Sequence, residues 1–179
     1  SLYGDDGTAL SNNYGVALGT AFGGSPPAGP AFVCHIRHSR LSRAKAVINT
    51  TDSYVESNEM WGNKRDFAIQ LGGGGTFVTN NQIVPGELYG IYLYNTSGWM
   101  LDILRIIGNY FDGSYKEIFT GDGIYQKASS GGILNSVIAD NSFWNLNGSG
   151  VRFENVQNSR IVNNNFVDCA SSDLSNRPD

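Results

Sequence analysis

Apolar and polar residues alternate along most of this chain with a period of two, in runs too short for helices. Gly90-Ile91-Tyr92-Leu93-Tyr94-Asn95, Gly123-Ile124-Tyr125-Gln126-Lys127-Ala128 and Gly150-Val151-Arg152-Phe153-Glu154-Asn155 each read as a strand opened by glycine, with Asp66-Phe67-Ala68-Ile69-Gln70 as a weaker copy. Pairs such as Ile91/Leu93 and Val151/Phe153 keep the spacing of a strand, not the 3.6-residue spacing of a helix. A second signature alternates with the first: an apolar strand ending in Asn-x-aromatic or Asn-x-aliphatic, at Asn81-Gln82-Ile83, Asn109-Tyr110-Phe111, Asn141-Ser142-Phe143 and Asn164-Asn165-Phe166. Val, Ile, Tyr and Phe fill the strands and Gly and Asn the turns, so the pattern predicts an all-β fold.

The spacings select the architecture. The second signature recurs after 28, 32 and 23 residues (81 to 109, 109 to 141, 141 to 164) while the order of the strands stays fixed. Short strands in constant order, joined by connections of changing length, are what a solenoid produces. A propeller blade needs four strands in roughly 40 residues, so a repeat of this length fits one turn of a single-stranded parallel β-helix. Coils then stack about 4.8 Å apart, close enough for Asn81, Asn109, Asn141 and Asn164 to hydrogen-bond from coil to coil as an amide ladder. Asn also tolerates the left-handed backbone of a sharp turn. Residues 1–60 are less regular, with strand-like stretches at 14–19 and 31–36 around a loop holding Pro26, Pro27 and Pro30. They read as an early coil or cap, and residues 61–179 as the regular coils, in one continuous domain.

Composition narrows the partners. The chain is 40% hydrophobic with 16% charged residues, enough to bury a core and too apolar for disorder. A net charge of −4 argues against a nucleic-acid partner, and no apolar run approaches the roughly 20 residues of a membrane-inserted helix. Cys34 and Cys169 fall about five coils apart, on the order of 25 Å, so both are expected as free thiols. His35-x-x-His38 lacks a third ligand, and the reading calls for no metal and no cofactor. The basic run from His35 to Lys45 is expected to be answered by Asp52, Glu56 and Glu59.

Candidate chemistry lies on the outside of the glycine-opened strands. If Ile91/Leu93, Ile124/Gln126 and Val151/Phe153 point inward, two outward columns result: Tyr92/Tyr125/Arg152 and Tyr94/Lys127/Glu154. Rings, cations and a carboxylate on one face suit sugar recognition, and Trp99 joins them from a lengthened connection. A second long connection, Asp112 to Asp122, carries Glu117. Glycoside hydrolysis needs two carboxyl groups roughly 5–9.5 Å apart. No such pair falls within the outward columns. Glu117, Asp122 and Glu154 are the catalytic candidates, and a pair is expected to draw on the loop or on a neighbouring chain.

The alternating motifs between Asp66 and Asp168 resemble the pectate-lyase-like superfamily of right-handed parallel β-helices, and within it bacteriophage tailspikes. Gly4-Asp5-Asp6-Gly7-Thr8 matches part of the glycine-aspartate-rich segment that often opens such domains, without its trailing acidic pair. The resemblance implies a homotrimer on a virion tail or otherwise extracellular, which binds and often cleaves a bacterial surface polysaccharide. Three functions stay open on the residues: a glycan hydrolase, a polysaccharide lyase using Lys127 or Arg152 to neutralise an acidic sugar, and a non-catalytic receptor-binding or structural piece of a virion fibre.

Overall fold

A computed structural model describes residues 2–3, 14–18, 34–42, 45–62, 67–94, 100–114, 120–127 and 131–170, with backbone alone at 2–3, 14–18 and 45. The described residues form a parallel β-helix, whose successive strands run through sheets 1, 2 and 3 in the same order, with a short sheet 4 in three of the coils. Sheet 1 stacks His35–Arg37, Tyr54–Glu56, Phe77–Thr79, Arg105–Ile107, Val137–Ala139 and Arg160–Val162. Sheet 2 stacks Leu2–Tyr3, Arg40–Ser42, Glu59–Trp61, Gln82–Val84, Tyr110–Asp112, Ser142–Trp144 and Asn165–Val167. Sheet 3 stacks Tyr14–Leu18, Lys45–Ile48, Phe67–Leu71, Tyr89–Leu93, Asp122–Gln126 and Val151–Phe153, and a short sheet 4 adds Leu101–Asp102, Ile133–Leu134 and Val156–Gln157. The strand ladder does not break at residue 61. His35 to Trp61 already occupy sheets 1 to 3, in a coil of only 19 residues from Ser39 to Asn58.

The corner between sheets 1 and 2 is two residues long in every coil and holds the expected ladder. The side-chain carbonyl of Asn109 accepts from the backbone N–H and side-chain amide of Asn81 at 3.0 and 2.9 Å, and Asn141 and Asn164 repeat the arrangement. The ladder runs further back than the Asn-x-aromatic motif indicates, through Asn58 to the backbone N–H of Ser39. The ladder asparagines are not the left-handed residues. That backbone falls on the residue before each of them, at Ser57, Asn80, Gly108, Asp140 and Asn163, and on His38 before Ser39 at the head of the ladder. The division of labour is physical, since one residue reverses the chain while the next buries its amide against the adjacent coils.

The two sequence signatures interlock inside the coil. The inward column of sheet 2 runs Leu41, Met60, Ile83, Phe111, Phe143, Phe166, and the last three rings stack at 4.5 and 5.0 Å. The opening glycines of sheet 3 leave room for the next coil's backbone and for those rings. A Cβ on Gly90 would lie 2.6 Å from the Gly123 carbonyl oxygen and 3.1 Å from the Phe111 ring, on Gly123 2.5 Å from the Gly150 carbonyl oxygen and 2.7 Å from Phe143, and on Gly150 2.4 Å from Phe166. One coil earlier, where the inward residue is Ile83, the equivalent position is Ala68.

This close approach breaks the alternation of sheet 3. Ala68 and Ile69 are both core residues although adjacent, and Phe67 lies outside the core cluster. Each strand therefore turns a corner at its glycine, and the residue before it faces outward with the residue two after it. At the C-terminal coil the inward columns are open: Val156, Ile161 and Phe166 are 46–48% exposed.

Candidate functional site

The corner at each glycine brings together side chains that strict alternation would separate. On the outer face of sheet 3, the column Phe67/Tyr89/Asp122 runs beside the column Gln70/Tyr92/Tyr125/Arg152. Tyr89 consequently stacks on Tyr92 at 4.9 Å and on Tyr125 at 4.5 Å, and Tyr92 stacks on Tyr94 at 5.2 Å. The predicted column Tyr92/Tyr125/Arg152 is in register, and Gln126 is inward and fully buried as expected. Tyr89 is the residue that sequence reading missed. Its signal was the glycine that follows it.

Arg152 is the centre of the cluster. Its guanidinium lies 5.1 Å from the Tyr125 ring centroid, 3.7 Å from Asp122 Oδ2 and 3.6 Å from Glu154 Oε1. Both carboxylates are held by further contacts. Asp122 Oδ1 accepts the Ser149 N–H at 2.7 Å, and Glu154 Oε1 accepts the Tyr125 hydroxyl at 2.6 Å. The buried Gln126 side-chain oxygen Oε1 accepts the backbone N–H groups of Glu154 and Asn155 at 3.1 and 2.7 Å, which fixes the turn that presents Glu154. Asp122 and Glu154 thus form a carboxylate pair on one chain that neither outward column contains, bridged by a guanidinium from the coil that carries Glu154.

Burial raises both titrating groups of the cluster. Burial raises Asp122 above the ordinary carboxylate range, against the lowering pull of the Ser149 N–H and of Arg152. Tyr125 is only 6% exposed although it points away from the core, and burial together with the Glu154 carboxylate pushes its phenol up to about 12. Tyr125 therefore braces the site from beneath, where sequence reading expects an open platform. Tyr92 and Tyr94 are half-buried, and Lys127 is exposed at the end of the Asp122–Gln126 strand. Glu117 and Trp99 lie outside the described residues. Three lengthened connections adjoin sheet 3 strands of this cluster, at 94–100, 113–121 and 127–132.

Other candidate features resolve into structure. Arg37 pairs with Glu56 at 2.7 Å and Arg40 with Glu59 at 3.3 Å, so two of the three expected acidic residues answer the basic run, while Asp52 makes no ion pair among the described residues. Cys34 and Cys169 are free thiols. Among the described residues no three His, Cys, Asp or Glu side chains converge as a metal site, and no helix is long and apolar enough to cross a membrane.

Compared with known proteins, residues 46–175 match the family model described as "Right handed beta helix region". Comparison with the curated proteins and with the solved structures gives no match.

Proposed function

The chain belongs to the right-handed β-helix family, and from that premise we propose that it recognises and hydrolyses a bacterial surface polysaccharide, as a tailspike-like part of a phage virion tail. The observation that carries the reading is the cluster of tyrosines, Arg152 and two carboxylates on the outer face of sheet 3, whose strands adjoin the connections 94–100, 113–121 and 127–132. Phenols, a guanidinium and carboxylates supply the donors, acceptors and apolar surface that a sugar chain uses.

Two carboxylate oxygens held at 3.7 and 3.6 Å from the terminal nitrogens of one guanidinium are at most about 10 Å apart, within reach of the roughly 6.5–9.5 Å separation of an inverting pair. In this reading Asp122, whose carboxyl burial favours in the protonated form, gives its proton to the leaving glycosidic oxygen as the C–O bond breaks. Glu154 takes a proton from the attacking water. Glu117, in the connection before Asp122, is the third candidate. Exposed Trp144 and Tyr110 on the outer face of sheet 2 support side-by-side association as a homotrimer, which light scattering of the intact protein tests.

The deciding experiment is incubation with purified surface polysaccharides and mass analysis of the products. Fragments that gain water support hydrolysis, and at least one of Glu117→Gln, Asp122→Asn and Glu154→Gln then abolishes turnover in a folded protein. Fragments with a new ultraviolet-absorbing double bond mean a lyase. Binding without fragments reduces the function to recognition.

A further inference from the structure

One core position of sheet 3 holds a side chain unlike those stacked before it. The inward column at the ends of its strands runs Leu71, Leu93, Gln126, Phe153, in register from coil to coil. Leu71, Leu93 and Gln126 are each 0% exposed, so an amide fills the place that leucine fills in the two preceding coils. A buried amide is costly unless its polar atoms are bonded. Those of Gln126 are bonded to the chain around the turn after Phe153. Oε1 accepts the N–H groups of Glu154 and Asn155, the two that flank the Glu154 Cα, and Nε2 donates to the Lys127 carbonyl. The Glu154 N–H also has the Gln126 backbone carbonyl at 3.2 Å, whereas the Asn155 N–H has no other acceptor among the described residues. Asn155 in turn donates its side-chain amide to the Gly131 carbonyl at 2.6 Å.

Tyr125 and Gln126 are neighbours on one strand, with side chains on opposite faces. From outside, the Tyr125 hydroxyl holds the tip of the Glu154 side chain at 2.6 Å. From inside, Gln126 holds its root. We propose that Gln126 is a positioning residue for Glu154, an amide set into the core to fix where that carboxylate stands. A leucine at 126 would pack as Leu71 and Leu93 do, and would leave the Asn155 N–H without its acceptor. The root of Glu154 would then be free to shift. A carboxylate that takes a proton from water must stand within hydrogen-bond reach of it, and small displacements at such a group cost rate steeply. The inference rests on the reading of Glu154 as that group, and adds what holds it in place.

The test compares the full chain with Gln126→Met, which keeps the length of the side chain and loses its acceptor, and with Gln126→Leu, the residue of the preceding coils. By NMR, the Asn155 amide should exchange with solvent at least about fivefold faster in both variants, as the loss of one hydrogen bond predicts, while the Ile106 and Ile138 amides of sheet 1 keep the parent rate. The Glu154 carboxyl carbon, identified by its loss in Glu154→Gln, should change resonance, and that of Asp112 on sheet 2 should not. On a polysaccharide that the parent hydrolyses, kcat should fall at least about tenfold with KM within about twofold. An unmoved Glu154 carboxyl in a folded variant overturns the proposal, as does undiminished kcat. Faster exchange throughout the coils in both variants also overturns it, because Gln126 is then a structural residue only. A parent that cleaves no polysaccharide, or full turnover by Glu154→Gln, removes the reading of Glu154 instead, and the two NMR readouts by themselves then decide whether Gln126 places it.

Discussion

Two stacks of aromatic rings line the outside of this solenoid, and they are built differently. On sheet 1, His35, Tyr54 and Phe77 stand one per coil in a single column, nearly parallel, at 4.7 and 5.0 Å. Their charged neighbours are paired at short range, Arg37 with Glu56 at 2.7 Å, and Arg105, next in the column, donates to the carbonyls of Leu104 and Asn135. On sheet 3, two columns converge at the glycine corner, so Tyr89 stacks on both Tyr92 and Tyr125, and Arg152 stays outside hydrogen-bonding range of both its carboxylates. The first stack is the coil repeat seen from outside, with its polar groups spent on each other. The second departs from the repeat and leaves donors to spare. Rings in register are therefore poor evidence of a site on a β-helix; broken alternation with uncommitted charge is better evidence.

The largest test of that contrast removes the corner. Gly123→Ala puts a Cβ 2.5 Å from the Gly150 carbonyl and 2.7 Å from a fully buried Phe143 ring, and should cost about 2–3 kcal/mol in urea unfolding. Gly150→Ala meets mainly the half-exposed Phe166 ring, which can move, and should cost less than about 1 kcal/mol. Equal losses at the two positions would refute the packing argument.

The same hydroxyl deletion should read differently in the two stacks. Tyr125→Phe removes the bond to the Glu154 carboxylate and should cost roughly 1 kcal/mol, since hydrogen bonds to charged groups contribute about 1.5–3 kcal/mol and this one is partly solvated. Tyr54 contributes only its ring to its stack, so Tyr54→Phe should fall within about 0.5 kcal/mol of the parent. Thermal unfolding of the two variants side by side measures the difference.

A corner outside both stacks provides a control of opposite sign. Ile103 has φ 57° and is 46% exposed, a conformation that disfavours β-branched residues, whereas Asn135 and Asn158 occupy it in later coils. Ile103→Asn should raise stability by about 1 kcal/mol, measured by denaturant midpoint, without moving either stack.

The smallest effect depends on pH. A carboxyl whose folded pKa lies above its unfolded value favours folding fully below the unfolded value and loses that contribution as pH rises through the folded one. Asp122→Asn should therefore match the parent near pH 3 and melt higher at pH 7, above the unfolded value, where the raised pKa of Asp122 costs the parent stability. A variant that is less stable at pH 7 would mean that the contact with Arg152 outweighs the burial.

Much of this architecture is legible in the residues. The Asn-x-Phe and Gly-apolar motifs, with their 23- to 32-residue spacing, are enough for the coil, the ladder and the inward columns, because one coil is a local unit that repeats with its own hydrophobic period. The register Tyr92/Tyr125/Arg152 follows from the same repeat. Asn58 escaped the motif although Asn58-Glu59-Met60 has the Asn-x-apolar form, because it falls among the less regular residues 1–60.

The site belongs to the other category. Asp122 and Tyr89 join Arg152 and Tyr125 beside Gly123 and Gly90, where the next coil's glycine carbonyl and the Phe143 and Phe111 rings leave no room for a Cβ. Those rings stand 20 and 21 residues further along the chain, so no local pattern of apolar and polar positions encodes the contact. Coil stacking then sets the distances on which the chemistry depends, bringing side chains some 30 residues apart in sequence, such as Asp122 and Arg152, to opposite ends of a 3.7 Å gap. Local periodicity can specify which face a residue occupies. Whether its charge is spent or available depends on what packs beside it, and that is decided by the neighbouring coils.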